Sequence, residues 1–205
     1  MFTDIRHSLV SDFCIVTIRV GSRYGGSGGS SFDDAKDLEL SSTSTCTGVE
    51  VFWRSQSLRH PGWNENYHTL VGIRFLYKNS NTSVGIVYHG YYGYPQDAKP
   101  SLSNDTFLLS NDEQISKVTL YVRSINGNLI GLQNNKYYLC VVGLQFYTTF
   151  GQTSLLYGRK DAEKFVESYE GFVFGYATGR SGGFIDMLQF VWYKDGKSIE
   201  VVHHV

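Results

Sequence analysis

An all-β domain is the fold class that the sequence predicts, and three observations carry it. Short runs rich in β-branched and aromatic residues alternate apolar with polar positions along most of the 205 residues, the period of a half-buried strand. Fifteen Tyr, 13 Phe and 22 Gly stand against only 3 Pro, a composition of strands joined by glycine turns. Asn126-Gly127 and Asp195-Gly196 are the dipeptides of tight hairpin turns. The length suits one sizeable core, and no Pro/Ser-rich linker divides it, so a single domain is expected.

Taken in order, the strand pattern covers Phe13 to Val20, Gly48 to Trp53, Leu70 to Tyr77, Thr82 to Tyr88, Lys117 to Val122, Tyr137 to Phe146, Gly171 to Tyr176 and Ile185 to Tyr193. One stretch pulls the other way. Asp161 to Glu170 has the composition of an amphipathic helix, but Glu163 and Glu167, four apart, would repel on one helical face. A turn at 160–163 followed by a strand from Phe165 is the expectation here. Alternation alone fits a barrel, a sandwich or a prism equally.

Two glycine clusters sit near opposite ends of the chain. The later one, Gly179-Arg180-Ser181-Gly182-Gly183-Phe184-Ile185-Asp186, ends in a single acid and runs directly into the apolar Met187 to Trp192. An ionised carboxylate only accepts hydrogen bonds and backbone N–H groups only donate, so a carboxylate beside open amides satisfies both sides of a hydroxyl-rich ligand. A glycine turn before a strand is ordinarily only a turn, because glycine supplies the positive φ that hairpins need. The earlier cluster, Gly21 to Asp34, contains Gly25-Gly26-Ser27-Gly28-Gly29 followed by Phe32-Asp33.

These two clusters resemble the jacalin-related lectin family. Between them the segments Phe107-Leu108-Leu109, Glu113-Gln114-Ile115, Val118 to Tyr121, Val142 to Thr148, Tyr157-Gly158 and Gly171 to Gly175 follow the family's order, so the resemblance spans roughly 14–193. It implies a β-prism of three four-stranded antiparallel sheets with long inserted loops and with the first and last strands side by side. The domain would be 1–205, its core about 14–193, with an N-terminal extension 1–12 and a C-terminal extension 194–205. Carried over residue by residue, Gly29 would border the pocket. Gly182 opens the Gly-x-x-x-Asp loop, Gly183 and Phe184 would donate backbone N–H groups, and Asp186 would accept from two adjacent hydroxyls. A third wall would be a loop after Tyr121 carrying Val122, Arg123, Ser124 and Ile125.

Where the chain departs from the family, the departures sharpen the expectation. Asp37 to Thr47 and Ser55 to His68 read as insertions, and the second lies where some members repeat the sugar loop yet lacks the motif; one site is therefore expected. Galactose preference in the family accompanies a processed chain with a new N-terminus beside the pocket, whereas this chain reads as uncleaved, so the resemblance implies mannose- or glucose-type glycans. One weak site per chain makes a homodimer a corollary. The aromatic loop Gly90 to Asp97, with Tyr91, Tyr92 and Tyr94, is read as ring bodies packed on the sheet in preference to a glycan or membrane contact.

Other function classes find little support. With 18 basic and 19 acidic residues and no basic cluster, the footprint of a nucleic-acid or anionic-membrane binder is missing. No apolar run approaches the length of a transmembrane helix. Met1 to His7 has an early acid and no sustained apolar stretch, so no secretory signal is read and a cytoplasmic location is the default. Cys14 and Cys140 fall in strand patterns as small buried hydrophobes, while Cys46 falls in a Ser/Thr-rich loop suited to an exposed thiol. No metal-ligand spacing or cofactor motif is present. Asn81-Thr82-Ser83 and Asn104-Asp105-Thr106 match the glycosylation acceptor pattern, which matters only for an exported chain. A glycosidase needs paired carboxylates, but Asp186 has no partner legible in the sequence, and Asp33-Asp34 is read as a turn stabiliser; no enzyme is expected. The alternatives to a lectin are the targeting domain of a membrane-damaging protein and a sugar-silent protein-interaction module.

Overall fold

A computed structural model describes residues 17–40, 44–57, 66–79, 82–83, 87–90, 102–126 and 136–194. It is built from strands β1 (Ile18–Val20), β2 (Tyr24–Gly25), β3 (Ser30–Asp33), β4 (Ser44–Ser57), β5 (Asn66–Asn79), β6 (Thr82–Ser83), β7 (His89–Gly90), β8 (Leu102–Leu108), β9 (Ile115–Asn126), β10 (Tyr137–Thr148), β11 (Tyr157–Gly158), β12 (Glu163–Ser168), β13 (Phe172–Ser181) and β14 (Ile185–Lys194), with one short helix, α1 (Asp34–Asp37). The order in the first sheet is β1-β14-β13-β3, in the second β11-β10-β9-β12 and in the third β6-β5-β4-β8. Two further short strands, β2 beside β14 and β7 beside β5, continue the broken edges begun by β1 and β6. Each sheet is thus four strands wide, and all pairing is antiparallel.

The three inner faces enclose one core in which Trp192, Tyr157, Phe75, Phe146 and Phe190 are completely buried. Alternation makes this possible: along β14, Leu188, Phe190 and Trp192 point inward, two residues apart, as pleated geometry requires. Sheets packed face to face share no backbone hydrogen bonds, and here a carboxylate bridges each pair. Glu167 of β12 accepts from Trp192 Nε1 at 2.5 Å and from the Ser22 amide at 3.2 Å, joining the second sheet to the first. Tyr157 of β11 donates to Asp105 of β8 at 2.8 Å, joining second to third. Asp34 accepts from Tyr77 of β5 at 2.6 Å and faces His89 Nε2 of β7 at 2.5 Å, joining first to third. Phe32 stacks on the His89 ring with centroids 3.6 Å apart, closing that corner from above.

Several expectations change in detail. The strand predicted for Thr82 to Tyr88 is not continuous: pairing covers Thr82–Ser83, then His89–Gly90, and residues 87 and 88 lie outside any strand. Asn126 pairs with Tyr137 at the end of β9, and Gly127 of the expected Asn126-Gly127 hairpin turn lies outside the described residues. Much of the two stretches read as insertions is strand: β4 starts at Ser44, and β4 and β5 run on to Ser57 and from Asn66. Cys46 is consequently buried within β4 and not exposed; burial pushes its thiol up to about 12. The 161–170 stretch resolves as expected, with a bend and then β12. Asp33 caps α1 by accepting from the Ala35 and Lys36 amides, the stabilising role expected of it, whereas Asp34 is buried and serves the sheet corner. Among the described residues no helix is long and apolar enough to cross a membrane. Cys14, the tyrosine loop around Tyr91, Tyr92 and Tyr94, and the Asp195-Gly196 turn lie outside the described residues.

Candidate functional site

Strands β13 and β14 pair up to Ser181 and Ile185, leaving Gly182-Gly183-Phe184 as the connecting loop. The Gly182 amide donates to the Phe184 carbonyl at 3.0 Å, which tightens the turn. Among the described residues the amides of Gly183 and Phe184 have no protein acceptor, so the loop keeps two unused donors. Asp186 follows one residue into β14. Its place at the start of the strand keeps it at the loop end of the sheet, where it is 8 % exposed.

The earlier glycine cluster comes to the same place because β2 pairs with β14, Gly25 opposite Met187, and β3 pairs with β13, Ser30 opposite Ser181. Its turn crosses directly over the carboxylate. A Cβ placed on Gly28 would fall 2.2 Å from Asp186 Oδ1, and one on Gly29 would fall 2.6 Å from Oδ2. Gly29 has φ of 59°, in the left-handed region that glycine tolerates best. The Gly26 amide donates to the Asp186 carbonyl at 2.8 Å, locking turn to strand.

The Asp186 carboxylate accepts no hydrogen bond from a protein donor among the described residues. Burial pushes its carboxyl up to about 6, and the Arg180 guanidinium partly offsets the rise. A buried acceptor of this kind, with unused N–H donors beside it, is short of hydroxyl-bearing partners. The raised folded value also sets a stability sign. A carboxyl whose folded pKa lies above its unfolded value stabilises the fold below about pH 4, and that contribution is lost as pH rises through about 6. Asp186→Asn is therefore expected to be more stable than the wild type at pH 8 and nearly equal to it at pH 4, as read from urea midpoints at the two pH values.

The structure brings Gly29, Gly182, Gly183, Phe184 and Asp186 together. It places Arg123 and Ser124 differently from the expectation: both lie within β9, not in a loop, opposite Cys140 and Leu139 of β10. Arg123 is tied to Asp161 at 3.1 Å, which takes its charge toward the β11–β12 connection. The element that reaches the glycine turn is β10, since a Cβ on Gly26 would meet the Leu139 carbonyl at 2.6 Å. Cys140 beside it is buried, and burial together with the Asp186 charge pushes its thiol up to about 12. Sequence reasoning missed Leu139, Cys140 and Arg180 as neighbours of the site. Arg180 stood in the motif itself, but only the fold shows what it touches.

A three-sheet prism whose end carries a glycine-walled carboxylate beside open amides defines the class of β-prism lectin domains. The family model for the jacalin-like lectin domain matches residues 21–191, and the chain belongs to that family. Similar solved structures include artocarpin in complex with mannotriose, 18% identical and covering 88% of this chain and 99% of that chain at a TM-score of 0.63. Frutapin, a lectin from Artocarpus incisa, is 18% identical, with 88% and 98% covered and a TM-score of 0.63. A mannose-specific jacalin-related lectin from Morus nigra, in complex with mannose, is 16% identical, with 90% and 99% covered and a TM-score of 0.62. At this identity the likeness establishes the shared fold. No curated protein matches the chain.

Proposed function

We propose that the protein is a non-catalytic lectin that grips one mannose- or glucose-type residue between Asp186 and the amides of Gly183 and Phe184, with Gly29 as the opposite wall. The observation that carries this reading is the buried Asp186 carboxylate, without a protein donor among the described residues, at the meeting point of two glycine turns. Adjacent hydroxyls of a hexose can donate to the two carboxylate oxygens while accepting from the loop amides. The mannose complexes of artocarpin and of the Morus nigra lectin favour this sugar class. Among the described residues the charged and titratable groups that face Asp186 are Arg180 and Cys140, neither of which is the second carboxylate that glycoside hydrolysis requires.

Each neutral hydroxyl contact replaces one with water and contributes only about 0.5–1.5 kcal/mol net, so a monosaccharide binds at roughly millimolar strength. Pairing two such sites in a homodimer would raise avidity through effective concentration. Asp186→Ala, assayed beside the wild type on a glycan array, removes both acceptors and is expected to lower binding to mannose-terminated glycans by about 30- to 100-fold, from one or two charge-assisted hydrogen bonds. Undiminished binding by the variant would sink the site. An array empty for the wild type would instead favour a protein-interaction role.

A further inference from the structure

Strand pairing holds the early glycine cluster at Gly25 and again from Ser30, but residues 27–29 lie between these anchors. Their carbonyls converge on one side chain. Arg180 of β13 donates through Nε to Ser27 at 3.1 Å and Gly28 at 2.8 Å, and through Nη2 to Gly29 at 2.6 Å. Three successive carbonyls aimed at one guanidinium need donors spread across a plane, which a lysine ammonium does not provide. This is the same turn whose glycines press against the Asp186 oxygens.

We infer that Arg180 is the positioning residue of the sugar site: its guanidinium staples the 27–29 turn over Asp186. The inference rests on the lectin reading for its consequence in sugar binding, but the staple is a property of the unliganded protein. Two separable requirements follow. Holding the turn needs the fork of donors, whereas biasing the carboxylate needs only positive charge. The groups facing Asp186 are Arg180 from β13 and Cys140 from β10, while the 25–29 turn contributes glycine and serine backbone. Cys140, with its thiol pushed up to about 12, is neutral through the working range, so the charge bias falls to Arg180.

The test compares wild type, Arg180→Lys and Arg180→Met without ligand, following the Asp186 carboxyl by carbon NMR against pH and, by hydrogen exchange, the Gly26 amide that ties the turn to the Asp186 carbonyl. In Arg180→Met the carboxyl is expected to titrate at higher pH than in the wild type and the Gly26 amide to exchange at least tenfold faster. Arg180→Lys restores the titration midpoint but not the amide protection. If Arg180→Met leaves both readouts unchanged, or if lysine restores both, the staple is refuted. Affinity for mannotriose at pH 8, where Asp186 is ionised in the wild type, is expected to fall about tenfold in both variants. Wild-type protein that ignores mannotriose would overturn the mannose reading alone, because the ligand-free measurements decide the role of Arg180 separately.

Discussion

Asp34→Ala is expected to cost roughly 2–4 kcal/mol of folding free energy, because it strips the common partner from two buried polar groups at about 1–3 kcal/mol each. Asp34, Tyr77 and His89 are 1 %, 3 % and 3 % exposed, so water does not replace the lost carboxylate without opening the corner. The Tyr77 hydroxyl donates to one Asp34 oxygen, and His89 Nε2 faces the other. Burial and the Asp34 charge together hold the Tyr77 hydroxyl well above the usual tyrosine range, so it remains a donor at every pH at which the fold is studied. The corner also joins distant segments: Asp34 follows β3 of the first sheet, while Tyr77 and His89 belong to the third. Losing it should loosen the first sheet's β3 edge, and with it the glycine turn that immediately precedes β3. Asp34→Asn keeps the volume and one acceptor and should fall between wild type and alanine. Urea unfolding measures this directly, and a midpoint for Asp34→Ala equal to that of the wild type would show that the three residues do not act together.

The same corner shows where sequence reading stops. Phe-Asp-Asp at 32–34 reads locally as a turn, and for Asp33 the capping of α1 bears that out. Nothing local distinguishes Asp34 from Asp33, since its partners lie 43 and 55 residues away. His89 carried no motif and sits between a broken strand and the tyrosine loop. The strands, by contrast, were legible because alternation is a local property, and their limits shifted mainly where polar residues such as Ser44, Gln56 and Asn66 continue a ladder without the apolar period that reveals it. Cys46 was misplaced for that reason: a Ser/Thr-rich run resembles a loop until its backbone is seen paired with Tyr77.

The candidate site divides along the same line. That Gly182–Asp186 and Gly29 come together was legible because the family order implied that the first and last strands lie side by side, as the pairing of β1 with β14 shows. The position of Arg123 and Ser124 was not. Placing Arg123 and Ser124 in a loop required knowing where β9 ends, and that strand continues to Asn126; β10 then brings Leu139, not Ser124, against the turn.

Two glycine substitutions separate the walls of the site by their geometry. Gly29→Val is expected to abolish detectable mannotriose binding, a loss of at least about 100-fold, equivalent to ~2.7 kcal/mol. Its Cβ would lie 2.4 Å from the Ser181 carbonyl carbon and oxygen and 2.6 Å from Asp186 Oδ2, so the new side chain either covers the acceptor or drives the two turns apart. A β-branched residue at φ of 59° adds strain of about 1–3 kcal/mol to that backbone clash, and a melting curve run beside the titration separates lost folding from lost binding. Gly183→Val makes the opposite case. A Cβ there meets nothing within 4 Å and the residue has no positive φ, while its role is exercised by a backbone N–H that no side chain replaces. That variant should bind within about threefold of wild type, a difference of less than 1 kcal/mol. Calorimetric titration of the two proteins with mannotriose decides the matter: equal affinities would mean that the 27–29 turn is not a wall of the site, and loss in Gly183→Val alone would move the sugar off the Gly29 side and onto the loop tip.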